Sequence, residues 1–378
     1  MNTQLPITPP CPSADFLPLL VVGMPGVPGY NAFYYFRALF PESVVGIFPP
    51  PYAVQIPDAP GTVVLDGEDP AALERLFQEQ GFRAVVDASG WCALKSCEFD
   101  PAMARRLNVD IGTRVMETAR RHGARLIRLS TDLVFDGLPY LRDGRAQSGG
   151  YREDWPVSPV TVYGKMMAES ERIIAEGYPE AAMLRIALPM GPSLNGHAGA
   201  IDWIASRFRK GRPATLYYDE VRSSLYVQDL NRVLLHFLGN DARGIFHAGG
   251  PRALSLYQIA QVINYYGGYA PELLMGCLRS QAGPMPPRAG DVSMDTGKIR
   301  ALLPEGTLRP WPLRPDLALD RDWHARKVGS PEGGAPPGGS APPEGGVAEC
   351  LYGAGWPAAW DHPLRLIPGL APTRFPVD

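Results

Sequence analysis

Four short apolar runs constrain the fold of this 378-residue chain most tightly: LPLLVVG (17–23), SVVGIF (43–48), RAVVDAS (83–89) and ARLIRLST (124–131). Runs of this length with little polar alternation suit strands buried on both faces. Segments of helical spacing separate them: YNAFYYFRALF (30–40), DPAALERLFQEQG (69–81) and DPAMARRLNVDIGTRVMETARRHG (100–123). Asp69 and Asp100 each precede a proline, and Gly81 and Gly123 close the two segments, so start and stop signals frame both helices. Strands alternating with helices over short connections predict an α/β fold, a doubly wound parallel sheet covered by helices on both faces. A further helix is expected over 161–176 and a strand over 181–191.

This regular pattern does not fill the chain. Residues 1–16 are Pro-rich and are expected to form a flexible arm. Residues 17–190 read as a dinucleotide-binding domain, and 191–320 as a smaller lobe for substrate, interleaved with the first domain. Residues 321–350 contain GSPEGGAPPGGSAPPEGGVAE (329–349), too poor in apolar side chains to offset its ordering entropy, and read as a flexible linker. Residues 351–378, with Trp356 and Trp360, form a tail expected to dock back on the body, a partner-binding segment being the alternative.

Several functions can be set aside. The net charge is −3 and no Lys/Arg run is present, which argues against a nucleic-acid partner. Cys11, Cys92, Cys97, Cys277 and Cys350 make no CxxC pair, and the six histidines are isolated, so reduced thiols and no metal site are expected. FLPLLVVGM (16–24) is too short to span a bilayer and lacks a basic flank, so no membrane association and a cytoplasmic location are expected. No G-x-S-x-G or H-E-x-x-H motif points to a hydrolase or metalloprotease.

Between the first strand and first helix, VVGMPGVPGYN (21–31) places Gly23, Gly26 and Gly29 at G-x-x-G-x-x-G spacing. Glycines permit a tight turn and close approach of backbone to a pyrophosphate, and the helix start then offers unpaired N–H groups to that anion. Pro28 fits near such a start. The second strand ends in Phe48-Pro49-Pro50, with neither an acid for a ribose hydroxyl nor an arginine for a 2′-phosphate, so NAD and NADP stay equally open. Asp66, after VVL, could bond an adenine amino group or simply cap a turn.

These segments, together with VVDASGWCALKSCEFDPAMARRLNVD, STDLVFDG, SPVTVYGKMMAESE and YYDEVRSSLYVQDL, occur in an order that resembles the extended short-chain dehydrogenase/reductases of the dTDP-4-dehydrorhamnose reductase type. The resemblance covers about residues 17–303 and implies a Rossmann-type domain, an NAD(P)H cofactor, a sugar-nucleotide substrate and, as is common in the superfamily, a homodimer. It implies that Tyr163 protonates a ketone while Thr131, with Ser130 as second candidate, bonds the same oxygen. It also places Ser89 and Tyr163 along the cofactor, and Arg185, Asn195, His197 and Arg222 in the substrate lobe. Asp229 reads as a residue that caps or orients the helix after it.

The family's lysine lies four residues after the tyrosine, and here that position is Met167. Lys165 is the remaining candidate, but two residues turn a helix by about 200°, away from Tyr163. Lys95 and Ser96 stand where the reductases often carry Asp-Lys. Reduction of a 4-keto sugar nucleotide is therefore read beside two alternatives: a non-catalytic binding or regulatory protein on the same fold, and a related epimerase or dehydratase.

Overall fold

The computed structural model describes residues 14–52, 60–142, 145–194, 199–313 and 351–352. Its centre is a seven-stranded parallel sheet. The strands are β1 (Leu19–Val22), β2 (Val44–Phe48), β3 (Thr62–Val64), β4 (Ala84–Asp87), β5 (Arg125–Thr131), β6 (Ala182–Ile186) and, past a short strand β7 (Ala214–Tyr217) elsewhere, β8 (Gly244–Ala248). The spatial order is β8-β6-β5-β4-β1-β2-β3. Every residue of β1, β4 and β6 is buried, which explains why these strands read as unbroken apolar runs.

Helices cover both faces: α1 (Val27–Leu39), α2 (Pro70–Gln80), α3 (Leu94–Phe99), α4 (Pro101–Arg105), α5 (Ile111–Arg121) and α6 (Val162–Gly177). The expected signals operate at α2. Asp69 Oδ1 accepts from the N–H groups of Ala71 and Ala72 at 2.9 and 3.1 Å, a cap of about 1 kcal/mol. Gly81 ends the helix in the left-handed region, at φ +60°.

The single helix expected over 100–123 is instead interrupted. Arg106–Asp110 forms a π turn between α4 and α5. The cause is a distant bond: buried Asn108 accepts from Trp91 N at 2.7 Å and donates to the Ala104 carbonyl at 2.9 Å, fastening the helix to the loop after β4. Such π turns often mark functional sites.

The chain runs outward from β1 to β2 and β3, then resumes with β4 on the other side of β1. That reversal opens a crevice at the carboxyl ends of β1 and β4, where ligands bind in open α/β sheets. A smaller lobe contains α7 (Ala200–Arg209), α9 (Leu256–Tyr266) and β7, which pairs in parallel with β9 (Leu274–Cys277). Its own core includes Ile204, Phe208, Tyr226, Tyr257 and Trp311. Between α7 and α9 the chain revisits the sheet: α8 (Val227–Leu238) packs Leu230, Val233 and Phe237 into the core that holds Phe33 and Phe36 of α1, and β8 pairs with β6.

Candidate functional site

The glycine turn lies in the crevice. Gly23 has φ +84°, and a Cβ there would lie 2.3 Å from the Ala88 carbonyl oxygen, so the loops after β1 and β4 touch backbone to backbone. A Cβ on Gly29 would meet the Gly23 carbonyl at 2.3 Å. Gly26 is different: it is the N-cap residue of α1, with Pro28 just inside, no side chain caps the helix, and its nearest neighbour to an added Cβ is 3.4 Å away. The turn is thus closed toward the sheet and open toward the cleft, with the geometry a phosphate group needs.

Ser89 lies on the floor beside it. Its N–H donates to Asp87 Oδ1 at 2.9 Å, and its carbonyl and hydroxyl oxygens accept from Arg128 at 2.9 and 2.7 Å. Arg128 itself pairs with Asp87 at 2.8 Å, both fully buried. Asp66 stands exposed beyond β3, and its carboxylate accepts from Glu68 N at 2.9 Å, the geometry of a turn cap.

Tyr163 enters the site from the start of α6. Thr161 Oγ1 accepts from Gly164 N at 2.9 Å, and Glu98 accepts from Val162 N at 2.7 Å, so two side chains fix that first turn. A Cβ on Gly164 would lie 2.2 Å from the Leu133 carbonyl, which presses the helix against the segment after β5. The Tyr163 phenol consequently lies beside Thr131, whose hydroxyl donates to Asp132 Oδ1 at 3.2 Å and accepts from Leu133 N at 3.2 Å. Burial pushes the phenol pKa well above the usual tyrosine range. Cys92 and Asp132 act in the same direction, while the Arg128 charge and the Thr131 hydroxyl act against it. Cys92 is exposed, and desolvation by the surrounding protein raises its thiol pKa against the pull of Arg222.

The other residues divide clearly. Arg222 is buried and binds Asp132 through two edges, Nε to Oδ2 at 2.6 Å and Nη2 to Oδ1. Arg185, expected in the substrate lobe, stands instead on β6. It forms a two-pronged bond with Glu171 at 2.9 and 2.7 Å, while its Nη1 lies 3.3 Å from His247. Ser130 donates to the same Glu171 at 2.5 Å, which draws it into this buried network and away from Tyr163. The reason is geometric: alternate residues of β5 face opposite sides of the sheet, so Ser130 and Thr131 cannot point the same way. Asp229 is buried and paired with Arg232 and Arg309. Lys165 is exposed, whereas Met167 is buried among Leu133, Val134, Phe135 and Val292. Asn195 and His197 lie outside the described residues.

Arg128, Asp132, Glu98 and Asn108 were not singled out from the sequence. A charge inside the apolar run ARLIRLST, and an asparagine within an otherwise regular helical pattern, were the available signals. Among the described residues, no cluster of three or more metal-binding side chains occurs, and no helix is long and apolar enough to cross a membrane.

A parallel sheet reversing beside a glycine turn, with a tyrosine–threonine pair at its carboxyl edge, defines an α/β protein of the extended short-chain dehydrogenase/reductase class. More narrowly, residues 54–319 match the RmlD substrate binding domain family, and the chain belongs to it. It is 27% identical over 186 residues to a dTDP-4-dehydrorhamnose reductase of Aggregatibacter actinomycetemcomitans, covering 47% of this chain and 59% of that one. It is also 27% identical over 198 residues to methionine adenosyltransferase 2 subunit beta of Xenopus laevis, covering 51% of this chain and 57% of that protein. The chain therefore spans less than two thirds of either relative. In fold it is similar to the Bacillus anthracis dTDP-4-dehydrorhamnose reductase solved in complex with NADP, with TM-score 0.62 and 17% identity over 75% of this chain and 92% of that one.

Proposed function

We propose that the chain is an NAD(P)H-dependent reductase of a nucleotide-activated 4-keto-sugar. The observation that carries this reading is the meeting of Tyr163 and Thr131 at the carboxyl edge of the sheet, in the cleft that begins at the glycine turn. The relatives named as dTDP-4-dehydrorhamnose reductases support the substrate class, and the NADP complex of a structural neighbour supports a nicotinamide cofactor. A cytoplasmic location, a homodimer and a division into a dinucleotide domain and a substrate lobe belong to the same proposal.

The coenzyme, when bound, supplies the hydride. Gly23, Gly26, Gly29 and the first turn of α1 would hold its pyrophosphate, with Ser89 along the floor. Thr131 orients the Tyr163 hydroxyl toward the ketone oxygen, and Tyr163 delivers the proton there as the carbonyl becomes an alcohol. Asp132 and Arg222 fix the segment from which Thr131 projects.

Met167 favours a second reading, a protein that binds nucleotide with little turnover. The cation that would favour a Tyr163 phenolate is replaced by an apolar side chain in the core, and Lys165 points to solvent. One assay decides between them: loss of the reduced-nicotinamide absorbance when dTDP-4-dehydrorhamnose is added. Turnover abolished by Tyr163→Phe supports the reductase, and coenzyme binding without turnover supports the alternative.

A further inference from the structure

The turn at Pro192 and Ser193, after β6, is held from two sides. On one side, Asn31 of α1 is buried and donates to the Pro192 carbonyl at 2.8 Å and to that of Val27 at 2.7 Å. A Cβ on Gly199, at φ +82°, would lie 2.8 Å from the Val27 side chain. The turn therefore rests on the first two turns of α1, the helix that the glycine turn opens.

The other side is anchored in Asp202, in the first turn of α7. Its Oδ2 accepts from the N–H and the hydroxyl of Ser193 at 2.8 and 2.5 Å, and its Oδ1 accepts from the Tyr352 hydroxyl at 3.0 Å. Ser193 is fully buried, Asp202 is 6% exposed and Tyr352 7%. The adjoining Leu351 is 2% exposed, and its carbonyl accepts from the indole of Trp311, itself fully buried, at 2.9 Å. A buried carboxylate needs its donors, and among the described residues one of three comes from Tyr352, far along the chain.

We propose that Tyr352 is a positioning residue for the nucleotide cleft: through Asp202 and Ser193 it fixes the turn against which the cofactor helix rests. The path is short, Tyr352 to Asp202 to Ser193, then across Pro192 to Asn31 on α1. Tyr352 touches no ligand in this role. Its effect on affinity rests on the proposal that the cleft takes a nicotinamide nucleotide, but its effect on the turn does not.

The experiment compares the full-length protein with Tyr352→Phe, which deletes one hydroxyl and keeps the ring in the lobe core. Amide hydrogen exchange is followed at Ser193 and across 199–209, with 256–266 as an internal control. NADPH affinity is measured by fluorescence, and KM and kcat wherever turnover exists. The expected result is about fivefold to tenfold faster exchange at Ser193, the size of one lost hydrogen bond, with 256–266 unchanged. A several-fold weaker NADPH affinity and a raised KM, with kcat within about twofold, complete it. Unchanged exchange at Ser193 overturns the proposal. So does an equal acceleration throughout the lobe, the signature of general loosening. Faster exchange at Ser193 with NADPH affinity and KM unaltered overturns the link to the cleft. A parent protein that binds no nicotinamide nucleotide overturns the reductase reading, while exchange at Ser193 still decides the positioning role.

Discussion

Arg222, from the lobe, grips Asp132, from the segment that follows β5, and both are buried beside the Tyr163–Thr131 pair. Burial raises the Asp132 pKa, and the two-edged guanidinium contact with Arg222 opposes that rise. Arg222→Met would strand a buried carboxylate and is expected to lower unfolding stability by about 3–5 kcal/mol. Denaturant unfolding checks this. Asp132→Asn with Arg222→Met should recover much of the loss, because the neutral pair needs no compensating charge.

Tyr163→Phe removes the proton donor but keeps the ring. Turnover is expected to fall by about 10²–10⁴-fold, with NADPH affinity nearly unchanged, as measured by steady-state kinetics and fluorescence titration. Equal losses in affinity and turnover would point to a damaged cleft.

Met167→Lys places a cation one helical turn from Tyr163, on its own face. The phenol pKa, now raised by burial, should come down. A proton donor is active while protonated, so reduction by the parent should persist with rising pH beyond the usual tyrosine range. The variant should lose activity at a lower pH while turning over faster near neutrality. A pH–rate profile tests this. The same lysine enters an apolar cluster, so a lower melting temperature should accompany the gain.

The buried Arg128–Asp87 pair supports Ser89, and the Arg128 charge lowers the Tyr163 phenol pKa. Arg128→Leu together with Asp87→Leu avoids leaving a lone charge. It should fold, weaken NADPH binding through the Ser89 floor, and move the alkaline limit of activity upward. An unchanged limit would remove Arg128 from the electrostatics of Tyr163.

His247 is fully buried, and its pKa falls to about 4 through desolvation, with the Arg185 charge adding to the effect and Glu153 opposing it. Its Nδ1 donates to the Tyr151 carbonyl at 3.0 Å, and its Nε2 faces an Arg185 N–H at 3.3 Å, so only the neutral ring fits. The unfolded chain takes up this proton near its ordinary pKa of about 6.5. Above that value both states are neutral and the full stability is present. As pH falls from about 6.5 toward 4, the unfolded state gains the proton first and stability drops, by an amount on the order of 2–3 kcal/mol. Unfolding free energies across that window should slope in the parent and flatten in His247→Gln.

Much of this architecture was readable because its signals are local. Asp69-Pro70 and Gly81 bracket α2, and the unbroken runs around Leu20 and Val85 mark strands with helices on both sides. The order of the motifs also located Tyr163, Thr131 and three glycines, which the fold brings to one cleft. What escaped was settled by partners far along the chain. Asn108 makes a π turn because it reaches the loop at Trp91, and no periodicity in 100–123 encodes that reach. Arg185 and Ser130 share a buried partner, Glu171, that neither local segment reveals. The pairing of Arg222 with Asp132 spans 90 residues of sequence and leaves no trace in either local segment.

The strand β8 has a consequence for how the protein is made. It is supplied by residues 244–248, after α7, β7 and α8 have been synthesised, yet it covers the edge of β6. During synthesis β6 must wait with its hydrogen-bonding edge bare until the chain through Ala248 has left the ribosome, and such edges template aggregation. A gene split or a truncation placed between sheet and lobe would make that interval permanent. The fragment ending near residue 190 should therefore be recovered insoluble or bound to chaperones, and co-expression of the missing portion should be the condition for its solubility.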